Sequence, residues 1–173
     1  ADRKKVITDL DLEALIADEF YRPRDIFSLE GLQVACGTMG MPTATVRLRG
    51  PDGKIHIHAS IGTGPVDATY KAIDSIVKVP ATLLEFNIHA ITEGIDALGE
   101  VTVRIQPKDD VKTTMDAQSE VTYTRVFGGH GADSDIIVAS AKAYINALNK
   151  LIVAQTEGLN PTPANQTHGV MLG

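Results

Sequence analysis

The sequence has little of what stabilises secreted proteins or binds nucleic acids. It contains one cysteine, Cys36, among 173 residues, so an intrachain disulfide is excluded and a reducing compartment is expected. It has no tryptophan and 5% aromatic residues, too few for a platform that stacks nucleic-acid bases. The formal net charge of −6 also argues against nucleic acids and membrane surfaces as partners.

Long apolar runs and a secretory signal are lacking as well. No uninterrupted apolar run approaches the roughly 20 residues that a membrane span needs. The chain starts with ADRKK and without Met, so we expect a fragment or a processed product. With 43% hydrophobic residues, it is long enough for one domain with a core, and a cytoplasmic location is expected.

The two ends of the chain differ from its middle. Residues 9–19 place Leu12, Leu15 and Ile16 at helical spacing, which predicts a short helix that ends before Pro23. Residues 153–173 are rich in Pro, Gly, Asn and Thr and show no periodicity, which is typical of a flexible tail.

An internal repeat organises residues 27–152, with units of about 27–79 and 80–152. The matched segments are TVRL at 45–48 over TVRI at 102–105, Leu29 over Phe86, Gly37 over Gly94, and GTG at 62–64 over GHG at 129–131. In each copy we expect three strands, then a glycine loop, then a helix. The predicted fold class is therefore α+β, with two βββα units that pack together after a short helix.

The first glycine loop, GTGPVDA at 62–68, resembles a phosphate cradle but lacks its lysine and its third glycine. Pro65 suits the first turn of a helix, and the free amides there attract an anion such as a carboxylate. A strand-to-helix turn without a ligand is the competing interpretation. The predicted recurrence of the loop at 129–131 slightly favours this turn, because a repeated turn needs no ligand, and it also allows two related sites.

The remaining candidate residues do not form a catalytic set. His56 and His58 have the spacing of two metal ligands on one strand face, but polar alternation on a half-exposed strand explains them better. His130 is interpreted as a solvated loop residue, and Cys36 as a core residue of an apolar strand. No nucleophile with a general acid and base is evident, so no catalytic or metal-binding residue is predicted.

Three long segments resemble one known family. LQVACGTMGMPTATVRLRGPDGKIHIHASIGTGPVDATYKAID, EGIDALGEVTVRI and GADSDIIVASAKAYINALNKL are similar to the C-terminal regulatory domain of 2-isopropylmalate synthases. The resemblance implies that 1–26 ends a connecting subdomain and that 27–152 is a regulatory domain, which pairs in a homodimer and binds leucine as feedback inhibitor.

The resemblance also implies what this chain lacks. In that family a divalent-metal barrel condenses acetyl-CoA with 3-methyl-2-oxobutanoate, the first committed step of leucine synthesis. The barrel is absent from these residues, so we expect no catalysis and no cofactor in this chain. A plastid location would follow if the source is a plant.

The inhibitor pocket of the family maps onto four parts of this sequence. The first glycine loop, the fourth strand, the stretch after Gly94 and the second glycine loop supply it. The mapped residues are Thr63, Gly64, Pro65, Val66, Asp67, Leu83, Phe86, Ala90, Ala97, Gly99 and Ala132. Asp67, Asp133 and Asp135 remain candidates for holding the ammonium group of the inhibitor.

Two alternatives remain open. Citramalate synthases carry a similar domain that senses isoleucine, and one branch point in a side chain discriminates by only about 1–3 kcal/mol. The chain could also be a dimerisation module without a ligand. Titration with leucine and with isoleucine separates these interpretations.

Overall fold

The computed structural model describes residues 25–90, 97–108 and 125–157. It has two three-stranded antiparallel sheets, each followed by one helix. The first unit contains β1 (Ser28–Ala35), β2 (Thr43–Arg49), β3 (Ile55–Ile61) and α1 (Pro65–Val77). The second contains β4 (Ala81–Ala90), β5 (Gly99–Pro107), β6 (Phe127–Asp133) and α2 (Ile136–Thr156). The predicted pair of βββα units is confirmed, whereas the predicted helix at 9–19 lies outside the described residues.

The central strand of each sheet supplies the core. Alternate residues of β2 and β5 are completely buried, as strands with one face on a helix require. They are Ala44, Val46 and Leu48 in the first unit and Val101, Val103 and Ile105 in the second. Each strand pairs with its sequence neighbours, in the orders β1-β2-β3 and β4-β5-β6.

The two units share one core because the helices meet across the boundary between them. The ring of Tyr70 in α1 stacks on that of Tyr144 in α2, with centroids 4.1 Å apart. The side chain of Asn149, 2% exposed, accepts a hydrogen bond from the Phe27 amide at 3.0 Å and donates one to the Phe27 carbonyl at 2.9 Å. The start of β1 is thereby fixed to α2 of the other unit.

The strand registers correct part of the predicted repeat. Leu29 lies opposite Leu48 in the first sheet, and Leu83 lies opposite Ile105 in the second, with a bulge after each. Because Leu48 and Ile105 are equivalent in the repeat, Leu29 corresponds to Leu83 and not to Phe86. Phe86 corresponds instead to Leu32, since these residues pair with the equivalent Val103 and Val46.

The second glycine loop was also predicted wrongly, because Gly129 and Gly131 lie inside β6. A Cβ atom on Gly129 would lie 1.9 Å from the Ala143 carbonyl oxygen, and one on Gly131 would lie 2.3 Å from that of Ala139. These glycines therefore let the strand approach the backbone of α2 and do not form a turn. The true counterpart of the loop at 62–64 is the segment at 133–135, which precedes α2.

The C-terminal helix is longer than the sequence suggested. Residues 153–156, predicted as the beginning of the tail, continue α2 to Thr156, and Val153 and Ala154 are buried. By length and apolar composition alone α2 could cross a membrane, but 67% of its most apolar window is buried inside the protein. The helix is apolar because most of its surface packs against the core of the protein.

Candidate functional site

The start of α1 has the geometry of an open anion site. Gly62 follows the last residue of β3, and a Cβ atom on it would lie 2.3 Å from the Ala68 amide nitrogen. Gly64 is the N-cap residue, and no side chain caps the helix. Pro65 occupies the first turn, where its missing N–H group costs no hydrogen bond.

Gly64 differs from Gly62 in that nothing in the fold requires a glycine. Its φ of −156° is extended backbone, which other residues adopt freely. A Cβ atom at Gly64 would meet no atom of residues 25–90, 97–108 or 125–157 within 4 Å. Among these residues nothing therefore fills the space beside this N-cap, and the positive end of the helix faces a position that a ligand can occupy.

Asp67 fixes the conformation of this loop. Its Oδ2 atom accepts hydrogen bonds from the Thr63 amide at 2.8 Å and from the Thr63 hydroxyl at 3.3 Å. The same oxygen lies 2.9 Å from the Lys71 ammonium. The Lys71 side chain, helped by the Thr63 amide, lowers the pKa of the Asp67 carboxyl, which stays ionised. Its carboxylate is thus used to hold the turn.

The start of α2, at the equivalent position in the second unit, is closed by the chain itself. Asp135 is the N-cap residue there, and its Oδ1 atom accepts from the amides of Ile137 at 2.8 Å and Val138 at 3.4 Å. Asp133 accepts from the Asp135 amide at 3.0 Å and pairs with Lys142 at 2.7 Å. A second anion is not accommodated at α2 in the way that the start of α1 allows.

The apolar part of the predicted pocket lies on β4. Phe86 and Leu83 share the sheet face that carries Val103 and Ile105, the face toward the helices. The Phe86 ring meets the Tyr70 ring of α1 edge-to-face, with centroids 6.4 Å apart. Leu83 remains 41% exposed. This contact joins the wall formed by β4 to the helix that begins at the glycine loop.

The structure brings Gly99, but not Ala132, to the same side of the second sheet. Gly99 pairs with Ala90, and a Cβ atom on it would lie 2.6 Å from Ile136 Cδ1, at the start of α2. Ala97 is half-buried just before β5. Ala132 lies in β6 opposite Glu100 and is exposed on the other face. Its predicted place in a second glycine loop is therefore wrong.

Two residues near the wall were missed by the sequence analysis. Tyr70 contacts Phe86 directly, and Ile88 follows Phe86 on the same face of β4, with 53% exposure. The helical spacing of Tyr70 with Ile73 and Val77 would have placed it on the buried face of α1. Ile88 could have been found from the period of two that it shares with Phe86.

Tyr70 also connects the wall to the second unit. Its hydroxyl donates to the Ser140 carbonyl at 3.2 Å, and the Tyr144 hydroxyl donates to Asp74 Oδ1 at 2.8 Å. Loss of water around the two rings raises the pKa of both tyrosines, so both hydroxyls remain donors. Desolvation also raises the pKa of the Asp74 carboxyl, against the lowering effect of the Tyr144 hydroxyl.

The histidines and Cys36 contribute nothing to this site. His56 lies 3.1 Å from Asp52 Oδ1, and His130 lies 2.6 Å from Glu100 Oε1 on the surface of β6, not in a loop. Cys36 is exposed after the end of β1, so its predicted core position is wrong. Within the ranges 25–90, 97–108 and 125–157, no three His, Cys, Asp or Glu residues are grouped to hold a metal ion.

Comparison with known proteins identifies the family of this chain. Residues 6–152 match a family model described as the LeuA allosteric (dimerisation) domain, which confirms the resemblance seen in the sequence. A 2-isopropylmalate synthase of Picosynechococcus sp. is 48% identical over 164 residues, covering 95% of this chain and 28% of that protein. The chloroplastic 2-isopropylmalate synthase 2 of Arabidopsis thaliana is 47% identical over 165 residues, covering 94% and 26%. One from Nostoc sp. is 52% identical over 151 residues, covering 87% and 26%. The chain thus spans about a quarter of the length of these relatives.

Proposed function

Because this chain belongs to the LeuA allosteric (dimerisation) domain family, we propose that it is the leucine-sensing regulatory domain of a longer 2-isopropylmalate synthase. In that protein the condensation of acetyl-CoA with 3-methyl-2-oxobutanoate, and the divalent metal that it uses, belong to the part not represented in this sequence. The chain itself acts as a dimerising sensor without catalysis. Its relatives include a chloroplastic plant enzyme and cyanobacterial enzymes, so the proposed location is cytoplasm or plastid.

The observation that carries the proposal is the uncapped start of α1. The carboxylate of leucine would lie at Gly64 and accept hydrogen bonds from the first amides of the helix, as the Asp135 carboxylate does at α2. Residues 63–67 form this half of the site. A ligand at Gly64 also accounts for the glycine, because neither its extended backbone nor any neighbouring atom of the described residues requires one.

The aliphatic side chain of leucine would contact β4. Leu83 and Phe86 face the helix layer, and the Tyr70 ring supports Phe86 from α1. For the ammonium group, Asp67 is the preferred partner of the three acidic candidates. It lies on the first turn of the same helix, and its contacts with Thr63 and Lys71 are made through Oδ2, so Oδ1 would meet the ligand.

Inhibition requires a coupling free energy between this site and the distant catalytic part. Leucine can supply it only by binding one arrangement of the protein better than another, or by reducing its mobility. The contact of Phe86 with Tyr70, and of Tyr70 with Tyr144, offers a route from the pocket wall to the boundary between the units.

Calorimetric titration of the 173-residue chain with L-leucine and with L-isoleucine tests the proposal. Saturable heat with leucine and a clearly weaker response to isoleucine are expected. Preference for isoleucine would assign the chain to the citramalate synthase type of sensor. Absence of binding with both amino acids would leave a dimerisation module and refute the sensing role.

A further inference from the structure

The edge strand β6 is poor in side chains. Three of its seven residues are glycines, Gly128, Gly129 and Gly131. Gly129 and Gly131 face α2, where a Cβ atom on either one would collide with the backbone of the helix. Glycine-rich strands specify their pairing weakly, and an edge strand exposes N–H and C=O groups that a further strand can bind. β6 therefore needs a protection that its own side chains do not supply.

Polar side chains of α2 lie along this edge. They reach the carbonyl oxygens of three alternate residues of β6, as the two-residue repeat of an antiparallel strand allows. Lys150 Nζ lies 2.8 Å from the carbonyl oxygen of Gly128, Asn146 Nδ2 lies 3.4 Å from that of His130, and Lys142 Nζ lies 3.5 Å from that of Ala132. We call Lys142, Asn146 and Lys150 the edge ladder.

The spacing of the edge ladder matches the strand. Four helical residues advance by about 6 Å and two strand residues by about 6.7 Å, so positions i, i+4 and i+8 of α2 follow alternate carbonyls of β6. Asn146 Oδ1 is buried and has no hydrogen-bond partner within residues 25–90, 97–108 and 125–157. An apolar side chain would avoid that penalty, so the contribution of Asn146 is its donor to His130.

The internal repeat shows that the fold does not require such a ladder. Counted from the N-cap of each helix, Lys71 and Ser75 of α1 correspond to Lys142 and Asn146. Lys71 pairs instead with Asp67 at 2.9 Å, and the Ser75 hydroxyl donates to the Lys71 carbonyl of its own helix at 2.8 Å. α1 ends before it reaches a counterpart of the third ladder residue. The adjacent strand β3, IHIHASI, contains no glycine, so the ladder accompanies the glycine-rich strand.

We propose that the edge ladder closes β6 to strand addition, so that an extended segment of a second copy of this chain cannot pair with the second sheet. The three side chains occupy the carbonyl oxygens that an added strand would need as acceptors. Its two ammonium groups also place charge at the edge, as lysines do on other protected edge strands. The proposal is independent of leucine sensing, because no residue of the edge ladder belongs to the proposed pocket.

Sedimentation velocity of the 173-residue chain tests the role of the edge ladder. Lys142→Ala, Asn146→Ala and Lys150→Ala are combined in one variant. It is expected to form species larger than those of the parent at a concentration at least about tenfold lower, since a new strand gains hydrogen bonds at the freed carbonyls. The variant loses two positive charges from a chain of net charge −6, which increases repulsion between copies, so charge alone predicts the opposite result.

Two control variants isolate the contacts at the edge. Lys142→Arg, Asn146→Gln and Lys150→Arg together keep a donor at each position, so this variant should retain the association state of the parent. Lys71→Ala with Ser75→Ala removes the equivalent side chains of α1, whose bonds go to Asp67 and to the helix itself. This second control should also leave the association state unchanged.

Hydrogen exchange shows where any new pairing forms. Protection gained by the amides of His130 and Ala132 in the associated alanine variant, with the circular dichroism of the folded chain retained, supports the proposal. A folded alanine variant with the association state of the parent would overturn it. Association without protection in β6, or equal association of the α1 control, would overturn it as well. If the triple variant does not fold, Lys150→Ala alone removes the shortest of the three contacts and is judged by the same criteria.

Discussion

Gly64→Asp tests the proposed anion site directly. It gives α1 the same N-cap residue that α2 already has. The N-cap Asp135 accepts from two amides of α2, whereas Gly64 leaves α1 without a side-chain cap. A carboxylate introduced at Gly64 finds open space and extended backbone, so it can cap α1 in the same manner. The new side chain would occupy the position proposed for the carboxylate of leucine.

The magnitudes follow from the capping geometry. An N-cap Asp is more favourable than Gly by only a few tenths of a kcal/mol, which raises Tm by about 1 °C in a domain of this size. The same carboxylate would occupy the helix amides that leucine needs, and it would repel the negative charge of leucine. Each effect reduces the free energy of leucine binding by about 1 kcal/mol. Together these losses weaken leucine binding by roughly 30-fold, since about 1.4 kcal/mol corresponds to a factor of ten.

Two control variants separate the contributions. Gly64→Asn places a neutral cap of the same shape, so it should stabilise α1 and weaken leucine binding less than Gly64→Asp does. Gly64→Ala adds a Cβ atom that meets no described atom within 4 Å, so it should leave leucine binding nearly unchanged, but it should lower stability by up to about 1 kcal/mol because Ala is a poorer N-cap residue than Gly. Thermal unfolding gives Tm, and calorimetric titration of the same samples gives the affinity.

One result would exclude an anion site at the start of α1. If Gly64→Asp raises Tm but binds leucine as tightly as the parent chain, the helix start is capped and the carboxylate of leucine lies elsewhere. A lower Tm for this variant would instead show that the space beside Gly64 does not accept the side chain, contrary to the geometry of the loop.

Three further substitutions test other parts of the structure. In the intact enzyme, Phe86→Ala is expected to relieve leucine inhibition with uninhibited turnover nearly unchanged, because it removes one wall of the pocket; steady-state assays with turnover lost and inhibition retained would contradict this. Gly129→Ala should destabilise the chain by about 3 kcal/mol in urea unfolding, since a backbone oxygen lies 1.9 Å from the new Cβ atom, whereas Gly40→Ala meets nothing and should be neutral. Desolvation raises the pKa of Asp74, so its contribution to stability is fully present below its unfolded pKa of about 3.9 and is lost as the pH rises through the folded pKa. Asp74→Asn should reduce the pH dependence of the free energy of unfolding between the unfolded and the folded pKa of Asp74. An unchanged pH profile of stability in this variant would contradict a contribution from Asp74.

Much of the secondary structure could be read from local patterns. TATVRL at β2 and TVRI within β5 combine β-branched residues with a period of two, and both form central strands. The GPDG turn before β3 and the Pro65 start of α1 also appear as predicted. The similarity of the two halves then fixed the βββα unit, because the repeat turned an ambiguous segment at β4 into a strand.

Other features could not be predicted from local sequence patterns, because they depend on which element packs against a given face of the sheet. Glycine has two uses, a tight turn and a close approach of backbones, and the letters GHG do not distinguish them. The distance from Gly129 to α2 does, and it moves these glycines from a loop into β6. For the same reason Ala132, which was predicted in a glycine loop, lies in β6 on the outer face of the sheet.

The sequence by itself determined the class of this protein: the two repeated βββα units, the loop beside α1 and the family to which they belong. Alternation along β3 also follows from its letters, since successive side chains must point to opposite faces of a sheet. The tertiary structure alone decided which face α1 covers, and it covered the histidine side and left Ile57 and Ile61 outside. The reason is that a period of two records that a strand has two faces, while only packing against other elements decides what each face meets.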